Sequence, residues 1–310
     1  MWIAIGVVGG LIILFFLALF IIYYLAFGSP HKGQGNIYDL PREVKTSDIN
    51  DKVLSYINQL KDVPYEQVCI TSYDGLKLYG KYYHNKDGAP LDIALHGYRG
   101  SDVRDLSGCL TTIKGGERNV LFIGQRANGI SEGRTITFGI KERRDCVSWV
   151  NYAIERFGKD VKILLRGVSM GATTVLMAMG ENLPKNVYGV LADCPFNSPK
   201  DIIKKVCKED MKLPANLVYP LIWLSARLFG GFSISETTAA EAVKKSNLPI
   251  IIFHGEQDGY VPPNMSSPVK EVRPDAEYYI FPQAGHALSY MYDTERYEQL
   301  LSEFVKKYCV

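Results

Sequence analysis

The chain has 310 residues, 47% of them hydrophobic and 22% charged, the proportions of a globular protein long enough for one sizeable core or two small ones. Lys and Arg number 35 against 33 Asp and Glu, so the net charge of +2 gives no reason to expect a nucleic-acid partner. No internal repeat and no low-complexity tract is present, which sets aside solenoid, propeller and fibrous arrays.

Trp2 to Phe27 carries no charged side chain, and roughly 20 apolar residues suffice to cross the hydrocarbon core of a bilayer. Tyr23 and Tyr24 near its end fit an aromatic belt. A cleaved signal peptide, the alternative, needs a basic start and an apolar segment of only about 7–15 residues. Here Met1 runs straight into the apolar run, so residues 1–28 read as one uncleaved transmembrane anchor. Lys32, Arg42 and Lys45 follow it in a polar linker that runs to Thr46 (residues 29–46), while only the α-amino group precedes it. The positive-inside tendency then expects the remaining domain, residues 47–310, on the cytoplasmic side. The six cysteines show no paired spacing, which suits reduced thiols, and no Cys/His spacing argues for a metal.

Beyond the linker, strands and helices alternate. Gln67–Ser72 and Leu76–His84, joined at Tyr73-Asp74-Gly75, read as an antiparallel hairpin. Asp92–Gly97 is a short buried strand, with a helical stretch from about Ser101, and Asn119–Gly124 is the next strand. From Ile140 to Phe157, Cys146, Trp149, Val150, Ala153, Ile154 and Phe157 recur at helical spacing as a core-facing stripe. A strand in Lys162–Ser169, an alanine-rich helix and the strand Tyr188–Pro195 follow. Residues 197–247 break the alternation, Pro249–Asp258 and Ala276–Pro282 resume it, and a helix around Glu295–Tyr308 closes the chain. Apolar strands alternating with helices predict an α/β fold with a mostly parallel sheet covered on both faces.

The stretch Gly167-Val168-Ser169-Met170-Gly171 sits where a strand must turn into a helix. A tight turn there strains the middle residue, small neighbours avoid clashes, and the side chain projects toward a helix N-terminus. Ser169 is therefore a candidate nucleophile, and it needs a base oriented by a carboxylate. Of the five histidines, His31 lies in the linker, His84 ends the edge hairpin, and His96 and His254 each sit in a His-Gly pair at a strand end. His286, on a Gly-bearing loop after the last strand, is the best base. Asp258, in the turn after the Pro249–His254 strand, is the preferred carboxylate, with Asp193 and Glu256 as rivals. For an oxyanion hole, Met170 N–H enters the helix behind the serine. Tyr98 N–H comes from the loop Leu95–Val103, where Gly97 and Gly100 permit close approach. His96 is then a structural residue of that loop.

Together the motifs LHGYRGS, GQRANGISEG, RGVSMGA, ADCPFNS, HGEQDGYVP and AGHALSY resemble those of the α/β-hydrolase family. They resemble most the membrane-anchored bacterial members related to serine aminopeptidase-type and BEM46-like hydrolases. The resemblance covers the chain from about Val68 to its end. It implies an eight-stranded sheet with Ser169 on a nucleophile elbow, Asp258 after the seventh strand and His286 after the eighth. It also implies serine hydrolase chemistry without a cofactor. One departure stands out: Gln125-Arg126-Ala127-Asn128-Gly129 occupies the place where the family often has Asp-x-Arg-Gly-His-Gly, a change expected to bear on the pocket wall and not on the triad. Residues 197–247 read as a small helical cap. Its apolar stretch Leu213–Phe232 is interrupted by Pro214, Pro220 and Gly230-Gly231, which argues against a second membrane segment. An acyl chain under that cap makes a carboxylic ester, lipid-like or small, the expected substrate. Peptidase, thioesterase or lysophospholipase activity uses the same triad, and a scaffold that keeps the shell without catalysis is the reading from another class.

Overall fold

The computed structural model describes residues 1–29 and 47–309. Most of the expected linker, with His31, Lys32, Arg42 and Lys45, lies outside the described residues. Eight strands are formed: β1 (Glu66–Thr71), β2 (Lys77–Tyr83), β3 (Leu91–Leu95), β4 (Asn119–Ile123), β5 (Ile163–Val168), β6 (Val187–Asp193), β7 (Ile250–Gly255) and β8 (Glu277–Phe281). They make one sheet in the order β1-β2-β4-β3-β5-β6-β7-β8. The β1–β2 hairpin pairs antiparallel onto β4, and every other neighbour is parallel. The burial follows from the sequence. β3, β4 and β7 are apolar almost throughout and buried at every position, as strands covered on both faces must be. Edge strand β1 alternates, with only Val68 and Ile70 buried.

One face of the sheet is covered by the helix Glu142–Phe157, which buries Cys146, Trp149, Val150 and Ala153, and by the helix Met170–Ala178. The last helix, Thr294–Tyr308, covers the other face through Tyr297, Leu301 and Phe304. Beside it lies a helix that the sequence reading left unassigned, Ser47–Lys61, burying Val53, Ile57 and Leu60.

The segment between β6 and β7 is helical: Pro199–Lys205, a π-helical turn Val206–Asp210, Ala215–Ser225, a second π turn Ala226–Gly230, and Ala239–Val243. The apolar stretch Leu213–Phe232 thus yields a helix of 11 residues with Pro220 inside it, well short of the roughly 20 needed to span a bilayer. Among the described residues only the N-terminal helix Trp2–Phe27 is long and apolar enough to cross a membrane. Its 26 residues extend about 39 Å at the usual helical rise.

That helix is not a free appendage. Leu19, Tyr23 and Phe27 are buried, and the Phe27 ring meets Phe232 at 5.3 Å and Phe138 at 5.9 Å. Phe229 packs between Phe20 (5.4 Å) and Tyr23 (5.9 Å). The backbone joins in as well: Ile136 N–H donates to Phe27 O at 2.8 Å, and Ser29 N–H to Arg134 O at 3.1 Å. The last turns of the helix and the β6–β7 insertion share one hydrophobic cluster with Phe138 and Met170.

Candidate active site

Strand β5 ends at Val168, and the chain reverses into the next helix through Ser169, whose φ of 56° and ψ of −117° lie where side-chain-bearing residues are rarely found. The flanking glycines are required by space. A Cβ on Gly171 would stand 2.2 Å from Leu95 O, and one on Gly167 would stand 2.3 Å from the Gly171 carbonyl. The helix is thereby pressed against the end of β3, and Ser169 is held at the carboxyl edge of the sheet.

His286 reaches that edge from the loop after β8. Its Nε2 is 3.0 Å from Ser169 Oγ, and its Nδ1 is 2.8 Å from Asp258 Oδ2. Asp258 follows β7 with a fully buried side chain. Its Oδ1 accepts from Val261 N–H at 2.7 Å and Tyr260 N–H at 3.0 Å. Burial by itself would raise its pKa. The charge of His286 and hydrogen bonds from His254, His286 and Val261 outweigh that and hold the carboxyl at about 2. An ionised Asp258 can only accept, so Nδ1 of His286 carries the proton and Nε2 is left to accept from the Ser169 hydroxyl. Gly255 keeps the two loops together, since a Cβ there would fall 2.3 Å from Ala284 O.

The rival carboxylates lie elsewhere. Asp193, at the end of β6, accepts from Ser289 Oγ at 3.3 Å, and burial drives its pKa up to about 6 against the pull of His254 and neighbouring hydrogen bonds. Glu256 is exposed. His96 is buried, with Nδ1 2.8 Å from Gly97 O, and His254 is locked between Val261 O (2.7 Å) and Ser266 Oγ (3.0 Å).

The loop after β3 passes directly over the serine, for a Cβ on Gly97 would lie 3.4 Å from Ser169 Cβ. Tyr98 follows Gly97 on this loop, and Met170 opens the elbow helix directly after Ser169. Neither N–H has a protein acceptor among the described residues. Burial pushes the Tyr98 phenol up to about 12, so it stays a donor. Its ring stacks on Phe138 at 4.8 Å and its hydroxyl donates to Ala26 O at 2.8 Å. Arg99 donates to Leu25 O at 3.0 Å and Gly28 O at 2.7 Å, so its charge meets the carbonyl end of the N-terminal helix. From behind, the departing loop Gln125–Gly129 supports the same segment: Gln125 Nε2 donates to His96 O at 2.5 Å and Asn128 Nδ2 to Gly100 O at 3.0 Å. None of these loop residues lines the apolar cavity described next.

That cavity, of about 350 Å³, opens beside the site between Ile22 and Ala26 of the N-terminal helix, Tyr98, Ile203 and Ile222 of the insertion, and Tyr260. Tyr260 presents its ring edge-on to the His286 imidazole at 5.1 Å. The sequence reading did not single out Tyr260, although it stands two residues after Asp258. It had no means of finding Ile22 or Ala26, whose role depends on how the N-terminal helix docks. It also passed over Cys194, whose sulfur lies within 4.8 Å of the nearest Asp258 and His286 atoms. Burial pushes that thiol well above its usual range, the opposite of what a metal-binding thiolate needs.

Comparison with known proteins bears on the family and the fold. The family model described as Peptidase_S9, prolyl oligopeptidase family, matches residues 137–309, more than half of the chain. The chain belongs to the prolyl oligopeptidase family. The matched span of this prolyl oligopeptidase-family hydrolase contains Ser169, Asp258 and His286 and leaves out Tyr98. Among solved structures, the Pyrococcus furiosus esterase Pf2001 is similar at 25% identity and a TM-score of 0.64, over 81% of this chain and 95% of the esterase. The α/β hydrolase GrgF from a Penicillium species superimposes with a TM-score of 0.60 at 18% identity, covering 79% of this chain and 99% of GrgF. Its fold is accordingly that of the α/β hydrolases. The Bacillus subtilis protein YqkD, whose own function is uncharacterised, is 27% identical over 188 residues, 60% of this chain and 62% of that relative.

Proposed function

We propose that this hydrolase cleaves carboxylic esters through a covalent acyl-enzyme, with Ser169 as nucleophile, His286 as general base and Asp258 as the carboxylate that fixes the imidazole. The observation that carries the reading is the continuous relay from Asp258 Oδ2 to His286 to Ser169 Oγ, at 2.8 and 3.0 Å. As Oγ attacks the ester carbonyl, its proton passes to His286 Nε2. Asp258 stabilises the resulting imidazolium without taking the proton. The N–H groups of Met170 and Tyr98 receive the developing oxyanion, each such donor lowering the barrier by about 3–4 kcal/mol in well-studied enzymes. The alcohol leaves with the proton from His286, and water then repeats the sequence to release the acid. On our reading the motifs ally the chain with the serine aminopeptidase-type and BEM46-like hydrolases, and residues 197–247 form the cap of the catalytic domain.

A specific observation favours esters over free amino termini. Two carboxylates of the insertion that could bind an α-amino group, Glu236 and Glu241, are already engaged. Glu236 is paired with Arg143 at 2.5 Å and Arg144 at 3.0 Å, and Glu241 serves the capping box of its own helix with Thr238. The likeness to an esterase at 25% identity supports the same choice. Thioesters and lysophospholipids fit the same chemistry.

The N-terminal helix, on this proposal, remains in the mature protein as a single-pass anchor, with the domain on the cytoplasmic side as the basic residues after it suggest. Its support is structural: the last turns of the helix are packed into the domain, and a cleaved signal segment would take Tyr23 and Phe27 out of a buried cluster. Labelling with a fluorophosphonate probe, together with hydrolysis of p-nitrophenyl esters from acetate to palmitate, tests the reaction. Labelling that disappears in Ser169→Ala and His286→Ala is the expected result. A folded wild-type protein that neither labels nor turns over any ester would return the scaffold reading.

A further inference from the structure

We infer that the N-terminal helix is a wall of the substrate site, and that the cavity it closes takes the hydrocarbon chain of an ester drawn from the bilayer in which the helix sits. The inference rests on the ester-hydrolase reading and names its substrate class. Three observations carry it.

The first is position. The cavity is bounded by Tyr98 and Tyr260. Tyr98 follows Gly97, the residue pressed against Ser169, and Tyr260 contacts the His286 ring. A chain in this cavity therefore leads away from the reacting carbonyl. Its volume of about 350 Å³ falls in the range of roughly 300–1,000 Å³ typical of small-molecule sites.

The second is chemistry. Ile22, Leu25 and Ala26 on one side and Ile203, Val206 and Ile222 on the other give a lining with no charged side chain. A hydrocarbon chain gains by burial there, at about 0.8 kcal/mol per methylene. A peptide backbone would leave its N–H and C=O groups without partners along this lining.

The third is the rim. Leu25, Met211 and Leu213, which also border the cavity, are exposed. The exposed apolar surface continues over Leu217, Leu221, Trp223 and Leu228 of the insertion and along the N-terminal helix from Trp2 to Leu17. Exposed apolar side chains of this kind, beside a membrane-length helix, are what a bilayer covers. The cavity then opens toward lipid, and a chain passes into it without crossing water.

The test uses the full-length protein in phosphatidylcholine vesicles. Ile22→Trp fills the cavity and Ile22→Ala enlarges it, while Ile13→Trp adds the same bulk on the exposed part of the helix. The readout is the ratio of kcat/KM for p-nitrophenyl laurate to that for p-nitrophenyl acetate. A fall of about tenfold or more in Ile22→Trp is expected, since pocket discrimination runs at roughly 10–200-fold per methylene-sized change. Ile22→Ala should shift the preference toward longer chains, and Ile13→Trp should leave the ratio at its wild-type value. Equal ratios in all the variants would overturn the inference. A second measurement does not depend on turnover: laurate carrying a terminal diazirine is photolysed with the wild type and with Ser169→Ala, and the cross-linked peptides are mapped. Adducts on both the Ile22–Ala26 and the Ile202–Val206 segments support the site even if no ester is cleaved. Adducts confined to Trp2–Leu17 would sink it.

Discussion

The carboxyl edge of the sheet and the cavity beside it are built on different kinds of constraint. At the edge, each catalytic candidate is fixed by close backbone geometry, for Ser169 and Asp258 mostly within a few residues of itself. Ser169 is held by two glycines that admit no Cβ, Asp258 by a turn that aims two N–H groups at one carboxylate oxygen, and His286 by a loop that only Gly255 lets close. The cavity is assembled from a helix at the start of the chain and an insertion some 200 residues later, held by ring contacts such as Phe20–Phe229 and Phe27–Phe232. On the proposed reading, local geometry fixes the reaction and long-range docking fixes what reaches it. Substitutions at the edge should therefore abolish turnover of every ester alike, whereas substitutions between helix and insertion should re-sort substrates.

The largest effects belong to the relay. Ser169→Ala and His286→Ala are each expected to lower kcat by on the order of 10⁴-fold or more, and the double variant by little beyond the worse single one, because the residues act as a unit. Roughly additive losses, measured on short and long esters, would mean that the two do not cooperate in one step.

Next come the two aspartates. Asp258→Asn should cost about 10⁴-fold in kcat by turning the imidazole to the wrong tautomer. Asp193→Asn should stay within about tenfold, since Asp193 accepts from Ser289 and does not hold the imidazole. The reverse order of losses would exchange their roles. Their stability profiles should differ in sign as well. Asp258, lowered from 3.8 to about 2, contributes stability that is present above pH 4 and is lost as pH falls toward 2. The size is about 2 kcal/mol. Asp193, raised from 3.8 to about 6, favours the folded state only while protonated, and that contribution is lost as pH rises from 4 through 6. Denaturant midpoints across this range should show Asp193→Asn gaining on wild type above pH 6, and Asp258→Asn less stable than wild type above pH 4 with that deficit closing in acid.

A further substitution probes what lies under the elbow. Arg166, in the middle of β5, is buried with Asp92 of β3 at 3.1 Å, and Asp92 also pairs with Arg118 at 3.2 Å. Asp92→Asn strands a buried guanidinium and should cost about 3–5 kcal/mol in chemical denaturation. The double change Asp92→Asn with Arg166→Met should recover much of that loss. If it does not, the pair matters to strand register and not only to charge balance.

Residue by residue, the sequence exposed most of the edge. The strained turn, the two His-Gly pairs and the loop histidine are each written in a short motif, and the apolar runs of β3, β4 and β7 announce buried parallel strands. Periodicity also placed the helices at Glu142–Phe157 and Thr294–Tyr308 within two residues. It was equally present at Val53, Ile57 and Leu60, where the helix Ser47–Lys61 was passed over beside a polar linker. Arg166 shows where pattern reading ends, since its partner lies 74 positions earlier. The same limit hid the contribution of Ile22 and Ala26: an all-apolar helix has no face that betrays which side is covered by protein and which by lipid.

The smallest expected effect is the most discriminating between edge and cavity. Tyr98 touches both: it follows Gly97, which packs against Ser169, its ring walls the cavity, and its hydroxyl is tied to Ala26 O. Tyr98→Phe removes only that tie, a net loss of about 0.5–1.5 kcal/mol, and Arg99→Ala removes the two charged ones beside it, to Leu25 O and Gly28 O. If the N-terminal helix steadies the loop over the serine, each variant should lower kcat several-fold for acetate and laurate in parallel, with little change in KM. A loss confined to laurate and appearing in KM would mean that the tie shapes the cavity alone. Because the phenyl ring still stacks on Phe138 in Tyr98→Phe, a change in kcat there reports the position of the loop and not a void in the wall.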